Sequence, residues 1–334
     1  MPALAQLTGD DGLFQPDMFN IISASERLVE LSAEISNCSV PRLDLLPEPR
    51  SECFLHLKKL VLDASLANIK ALFHQLGACL ESLHITSSCK RIDFKDIQDL
   101  IPNQARWLTR NLESFYFVLV ETERDVVKWA PYEAGLDDVW VKIREGLPRP
   151  TAPAPVLWRV FWPLSKCNGM LHFTIRFLSW NHLKLDDQEI RTMSGQWELL
   201  QTLDIAWERR THVGFDVSGL VAESQLTLAC LKELAEKCKY LRAVRLTHVD
   251  GSQALPGREE MKHLRRELPV EVDVGYASFG LGDGEGNERA RAREVASYLY
   301  ALWPKMTLRW HEDNRHSLRW KMVANELVTL AWDL

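Results

Sequence analysis

One apolar phrase recurs along this chain and constrains its fold more than any other feature. Residues spaced as L-x-x-L-x-L stand at Leu57, Leu60, Leu62, at Leu80, Leu83, Ile85, and at Leu112, Phe115, Phe117. The phrase returns at Leu200, Leu203, Ile205 and at Leu241, Val244, Leu246, with a weaker version at Leu28, Leu31, Ala33. Leu171, Phe173, Ile175, then Val270, Val272, Val274, and Met306, Leu308, Trp310 read as degenerate members. The last two apolar positions of each phrase are two residues apart, so they share one face of a short strand. No such strand can bury that face alone, and stacking the strands side by side in parallel makes one continuous apolar layer. The leading positions are 23 residues apart from Leu57 to Leu80, 32 from Leu80 to Leu112 and 41 from Leu200 to Leu241, which makes the repeats irregular.

Helical spacing fills the intervals. Leu66, Ile69, Leu72, Phe73 and Leu76 recur at three- and four-residue steps over 66–78, and Leu228, Leu231, Leu234 and Ala235 do the same over 228–238. A third helix is expected over 289–302. Trp197, Cys238 and Trp303 each stand three residues before Leu200, Leu241 and Met306, as an apolar residue would that ends a helix and pins it to the sheet. Pro41, Pro47 and Pro49 set off residues 1–50 as an N-terminal cap or incomplete repeat. Residues 51–334 read as one continuous array, with the proline-rich run 147–155 inserted as a stiff extended connector.

On these residues the chain resembles the repeat portion of the large fungal family of F-box and leucine-rich-repeat-like proteins. The segment Leu183-Lys184-Leu185-Asp186-Asp187-Gln188-Glu189-Ile190 through Trp197 is similar to that family's D-D-x-x-[LI] helix and aromatic junction. The run from Leu226-Thr227-Leu228-Ala229-Cys230-Leu231 to Leu241 resembles its L-T-L-x-G-L-x-x-L-A helix. Val270 to Gly275, followed by Val295-Ala296 and Leu302-Trp303-Pro304, resembles its late strand and helix. Glu198 and Lys239 stand where the family usually has proline. The resemblance covers about residues 50–320. It implies an α/β fold: an irregular leucine-rich-repeat-like solenoid with a parallel sheet on the concave face and helices on the convex face. Members that carry the box look like substrate receptors of cullin-type ubiquitin ligases, gripping the Skp adaptor through the box. Here Leu46-Pro47-Glu48-Pro49 holds the Leu-Pro dipeptide of the box helix, but its second proline stops that helix. Pro16 also interrupts the segment, and only Phe19 to Ile35 offers a helix or strand of useful length. The Skp adaptor is therefore not expected to bind this chain directly.

Charge and motif content point to a non-catalytic protein-interaction scaffold. With 46 acids against 40 bases and no basic block, nothing is built to neutralise many phosphates, so nucleic acid is not expected as a partner. No apolar run approaches the roughly 18 residues that span a bilayer, and the start lacks an export signal, so a cytoplasmic or nuclear location without membrane is expected. Seven scattered cysteines without a C-x-x-C pair read as free thiols. No metal and no cofactor is expected. Gly280 to Gly286 lacks the third glycine of a phosphate fingerprint at Glu285, and as a calcium loop it carries Glu288 where glycine is needed. His311 and His316 are five apart and diverge by roughly 140° on a helix. Twelve tryptophans include Trp158, Trp162 and Trp180, read as core in preference to exposed anchors.

The outward positions of the strands are the candidate binding residues: Lys59, Asp63, His84, Tyr116, Asp204, Arg245 and Asp273, with Ser114, Thr202, Thr247 and Glu271 beside them. The partner they imply is another protein. An enzyme on an α/β framework is the alternative, and it needs convergent polar groups in a pocket.

Overall fold

A computed structural model describes residues 5–35, 54–74, 76–77, 79–89, 97, 100–101, 111–121, 157–178, 185–207, 226–246, 249–255, 261–275, 277–278, 285–311 and 316–332. Ten strands form one sheet: β1 (Gln6–Gly9), β2 (Glu30–Glu34), β3 (Lys59–Asp63), β4 (Ser82–Cys89), β5 (Ser114–Glu121), β6 (His172–Leu178), β7 (Thr202–Trp207), β8 (Ala243–Leu246), β9 (Val270–Asp273) and β10 (Met306–Arg309). Their order in the sheet is their order in the chain, and every neighbouring pair is parallel. Each expected phrase supplies one of these strands. The leading apolar residue (Leu57, Leu80, Leu112, Leu200, Leu241) lies just before its strand, and the two that follow point into the core.

Seven α-helices are present among the described residues: α1 (Pro16–Ser23), α2 (Leu66–Phe73), α3 (Leu157–Phe161), α4 (Asp187–Gln196), α5 (Ala229–Lys237), α6 (Glu285–Leu302) and α7 (Ser317–Trp332). Their buried residues join the leucine face of the sheet in a single apolar core, so the helices cover that face. Pro16, expected to interrupt the segment, occupies the first turn of α1, where its missing N–H would have had no helical partner. Asp186 and Glu189 close a capping box on α4. Asp187, one residue on, reaches the next unit, accepting from the Thr227 backbone N–H at 2.8 Å and its hydroxyl at 2.6 Å. Burial pushes the Asp187 carboxyl above its ordinary value, opposed by these two hydrogen bonds.

The junction between helix and strand is a repeated turn. The N–H of Leu200 bonds the carbonyl of Trp197, that of Leu241 bonds Cys238, and that of Met306 bonds Trp303, at 3.1, 3.2 and 3.1 Å. Cys167 to Met170 and Phe54 to Leu57 close the same turn, which extends the junction rule to five units. All five junction residues are buried. Trp158 is core as expected, edge-on to Trp197 with ring centres 5.4 Å apart, whereas Trp162 is half-exposed. Trp180, the proline run and the boundary near residue 50 lie outside the described residues. On the near side of that boundary β1 and β2 belong to the same sheet as the rest.

A second, thinner ladder runs beside the main sheet: Thr227, Asp250 and Ser278 form successive parallel bridges. The Asp250 carboxylate accepts from the Ser252 N–H, the Ser252 hydroxyl and the Ser278 hydroxyl. Arg291 donates to the carbonyls of Gly251 and Gln253. Gly251 is required here, because a Cβ would stand 2.7 Å from the Ser278 carbonyl oxygen.

Candidate binding surface

Strand alternation sends the residues between the core positions to the opposite face, and the parallel register aligns them in rows across the sheet. The central row reads Thr8, Ser32, Val61, His84, Tyr116, Thr174, Asp204, Arg245, Asp273 and Arg309. Nine strand spacings carry it about 43 Å from end to end. A flanking row reads Gln6, Glu30, Lys59, Ser82, Ser114, His172, Thr202, Ala243, Glu271 and Thr307. In the central row every residue is at least partly exposed except Asp204.

The face has three parts. Toward β1, Glu30 pairs with Lys59 at 3.7 Å, and Glu34 and Asp63 are exposed cross-strand neighbours. In the middle the face is neutral: the His84 and Tyr116 rings lie 5.4 Å apart, tilted by 40°, between Val61 and Thr174. Burial, and then the charge of Lys59, hold the His84 imidazolium below its ordinary value, which favours the neutral ring. His172 and Thr202 join side chains at 3.2 Å on the flanking row. Toward β10 the charges pair within the face. Arg176 reaches one oxygen of Asp204 at 2.6 and 3.1 Å, Arg245 lies 3.4 Å from Asp273, and Arg309 lies 3.1 Å from Glu271.

Of the seven residues expected to bind, Lys59, Asp63, His84, Tyr116, Arg245 and Asp273 stand on this face with some exposure. Asp204 departs from expectation. It is on the predicted face, but only 8% of its surface is exposed, because Arg176 of the preceding strand folds across it. Its role is to anchor Arg176. Ser114, Thr202 and Glu271 lie in the flanking row, and Thr247 lies outside the described residues. Thr174, Arg176 and Arg309 were missed. Their strands were recognised from Phe173, Ile175 and Leu308, and the residue after each of these three is the one that was missed.

The set-aside motifs are placed in part. Residues 280–284 are outside the described set, and from Glu285 onward the chain is helical. His311 is exposed and His316 buried, with 312–315 outside the described residues. Among the described residues no three His, Cys, Asp or Glu side chains converge to hold a metal ion, and no helix is long and apolar enough to cross a membrane. Cys79, Cys89, Cys167, Cys230 and Cys238 form no disulfide, while Cys38 and Cys53 lie outside the described residues. No protein-family model matches the chain, and no curated protein matches it in sequence.

Proposed function

We propose that the chain is a non-catalytic protein-interaction scaffold: a leucine-rich-repeat-like solenoid of the F-box-associated kind, whose polar sheet face is the concave binding surface. The observation that carries this reading is the in-register row from Thr8 to Arg309, which presents side chains from all ten strands on one rigid, hydrogen-bonded surface. A surface of this kind suits a macromolecular partner, because its neutral His84–Tyr116 centre offers an aromatic anchor and the surrounding charges set orientation. On this reading the chain is the substrate-binding part of a ligase receptor, and its partner is another protein.

Affinity capture from the native cell, followed by mass spectrometry, tests the reading when three baits are compared. Partners that are recovered with the parent chain and with Glu236→Lys on the helical side, but lost with Tyr116→Glu, support it. Partners retained by Tyr116→Glu and lost with Glu236→Lys overturn it. Recovery of a cullin together with the Skp adaptor places the chain in a ligase. For the adaptor alone, co-elution with the purified chain on a sizing column at micromolar concentration overturns the expectation that it does not bind directly.

A further inference from the structure

The two ends of the sheet are finished differently. At β1 the turn formed by Asp11–Phe14 folds back, with Leu13 and Phe14 buried, and the Leu13 side chain comes within 2.7 Å of where a Gly9 Cβ would stand. At β10 the cover is a helix, α7, which buries Trp320 and Val323 against the core. Met306, Leu308 and Trp310 are only partly buried, although Val270, Val272 and Val274 on the adjacent strand are fully so. Helix α7, the last layer on that side, leaves Leu318 78%, Val328 58% and Trp332 83% exposed. A stacked array needs its terminal apolar surface covered, and an edge strand without prolines, bulges or several charges is open to pairing.

We propose that a second copy of this chain covers this end, its β10 pairing antiparallel with the first across a two-fold axis centred on Leu308. The backbone supplies the first reason. The Arg309 carbonyl accepts from the Val274 N–H at 3.0 Å, and the His311 N–H donates to the Gly275 carbonyl at 2.9 Å, so odd-numbered residues bond toward β9. Alternation turns the N–H and C=O groups of Met306, Leu308 and Trp310 outward. Centring the axis on Leu308 makes these three the hydrogen-bonded pairs: Leu308 with its own mate, and Met306 with the partner's Trp310.

Side-chain chemistry selects the same register. Core-face residues then meet core-face residues, and on the polar face Thr307 stands opposite the partner's Arg309. Shifting the axis to Thr307 sets Lys305 against the partner's Arg309, and shifting it to Arg309 sets that residue against itself. Like charges directly opposite one another are unfavourable, and a half-step shift opposes a polar face to an apolar one. The segment Met306-Thr307-Leu308-Arg309-Trp310 is therefore complementary to itself when the axis lies on Leu308. In that register both α7 helices lie on the same side of a joined, twenty-stranded sheet.

Light scattering coupled to a sizing column, run on the full chain at micromolar concentration, is the first test. A mass twice that of one chain, reduced to one by Leu308→Lys with an unchanged circular dichroism spectrum, supports the proposal. A monomeric parent chain overturns it, as does a dimer that Leu308→Lys leaves intact. Cross-linking fixes the register independently of stability. Thr307→Cys mixed with Arg309→Cys forms a disulfide-linked pair under mild oxidation, because residues at a non-hydrogen-bonded antiparallel position have Cα atoms about 4.5 Å apart. Cross-linking of either variant alone that equals the mixture overturns the register.

Discussion

Truncating Phe173 to alanine tests the central claim that successive strands share one core. The ring is fully buried on β6, and its Cα neighbours across the sheet are Phe115 on β5 and Leu203 on β7. Its ring centre lies 4.6 Å from Trp197, 5.7 Å from Phe115 and 6.2 Å from Phe161. Strands on both sides and a helix beneath leave no route for the site to collapse, so the cost belongs at the upper end of the range for such truncations, about 4–5 kcal/mol. Unfolding entropy of about 2.1 cal/mol/K per residue over 334 residues gives about 0.7 kcal/mol/K, so the melting temperature falls by about 6–7 °C. Phe173→Leu retains most of the volume and loses the ring contacts, at about 1–2 kcal/mol and a drop of about 2 °C. Thr174→Ala, on the other face, is the control in the same calorimetric scan. If Phe173→Ala melts with Thr174→Ala, or no lower than Phe173→Leu, the shared core is refuted.

Three further outcomes are expected. Arg176→Met leaves the Asp204 carboxylate covered without its guanidinium and costs roughly 2–4 kcal/mol, lowered from the fully buried case because a third of the Arg176 side chain is exposed. Adding Asp204→Leu recovers part of that loss in urea denaturation, and strict additivity of the two changes would show that the pair is not coupled. Native alkylation with iodoacetamide labels Cys79, which is exposed, and spares Cys167 and Cys238, whose burial pushes both thiols up to about 12, together with the fully buried Cys230. Rapid native labelling of Cys230 or Cys238 would contradict the packing of α5. His84 titrates below its ordinary 6.5 in the folded chain, so the unfolded chain binds its proton more readily. Its contribution to stability is then complete above about 6.5 and is lost as pH falls through the lower folded value, a slope that His84→Asn flattens in pH-dependent melts.

The strands were legible because leucine, phenylalanine and valine recur two residues apart at positions such as Leu60 and Leu62 or Val270 and Val272, and that pattern has few other uses. Strand β1 was not: of Gln6–Gly9 only Leu7 is apolar, and four residues hold no periodicity. Helix α3 is too short to show a helical period, while α7 mixes Lys321, Asn325 and Glu326 among its apolar residues without a clear stripe. The buried junctions at Trp197, Cys238 and Trp303 were foreseen from their fixed offset. Those at Phe54 and Cys167 obey the same offset from Leu57 and Met170 and were overlooked. On the candidate surface, alternation decided which face Asp204 takes, but how much of it stays accessible depends on Arg176. That residue is 28 positions away in sequence and one strand away in space, and only the register brings the two together.

Because each strand bonds only to its predecessor and successor in the chain, a load applied between the two ends passes through every seam in series. Such an assembly is as strong as its narrowest joint. The β4–β5 seam pairs eight residues, whereas β8–β9 pairs only three. It is across this last gap that the chain adds a splice: Asp250, just past β8, bridges to Ser278, just past β9, and Arg291 clamps the Gly251 carbonyl beside it. Cutting that splice would weaken the seam and shift its load to two further links that span it, Arg266 to the Ala235 carbonyl and Tyr298 to the Leu228 carbonyl.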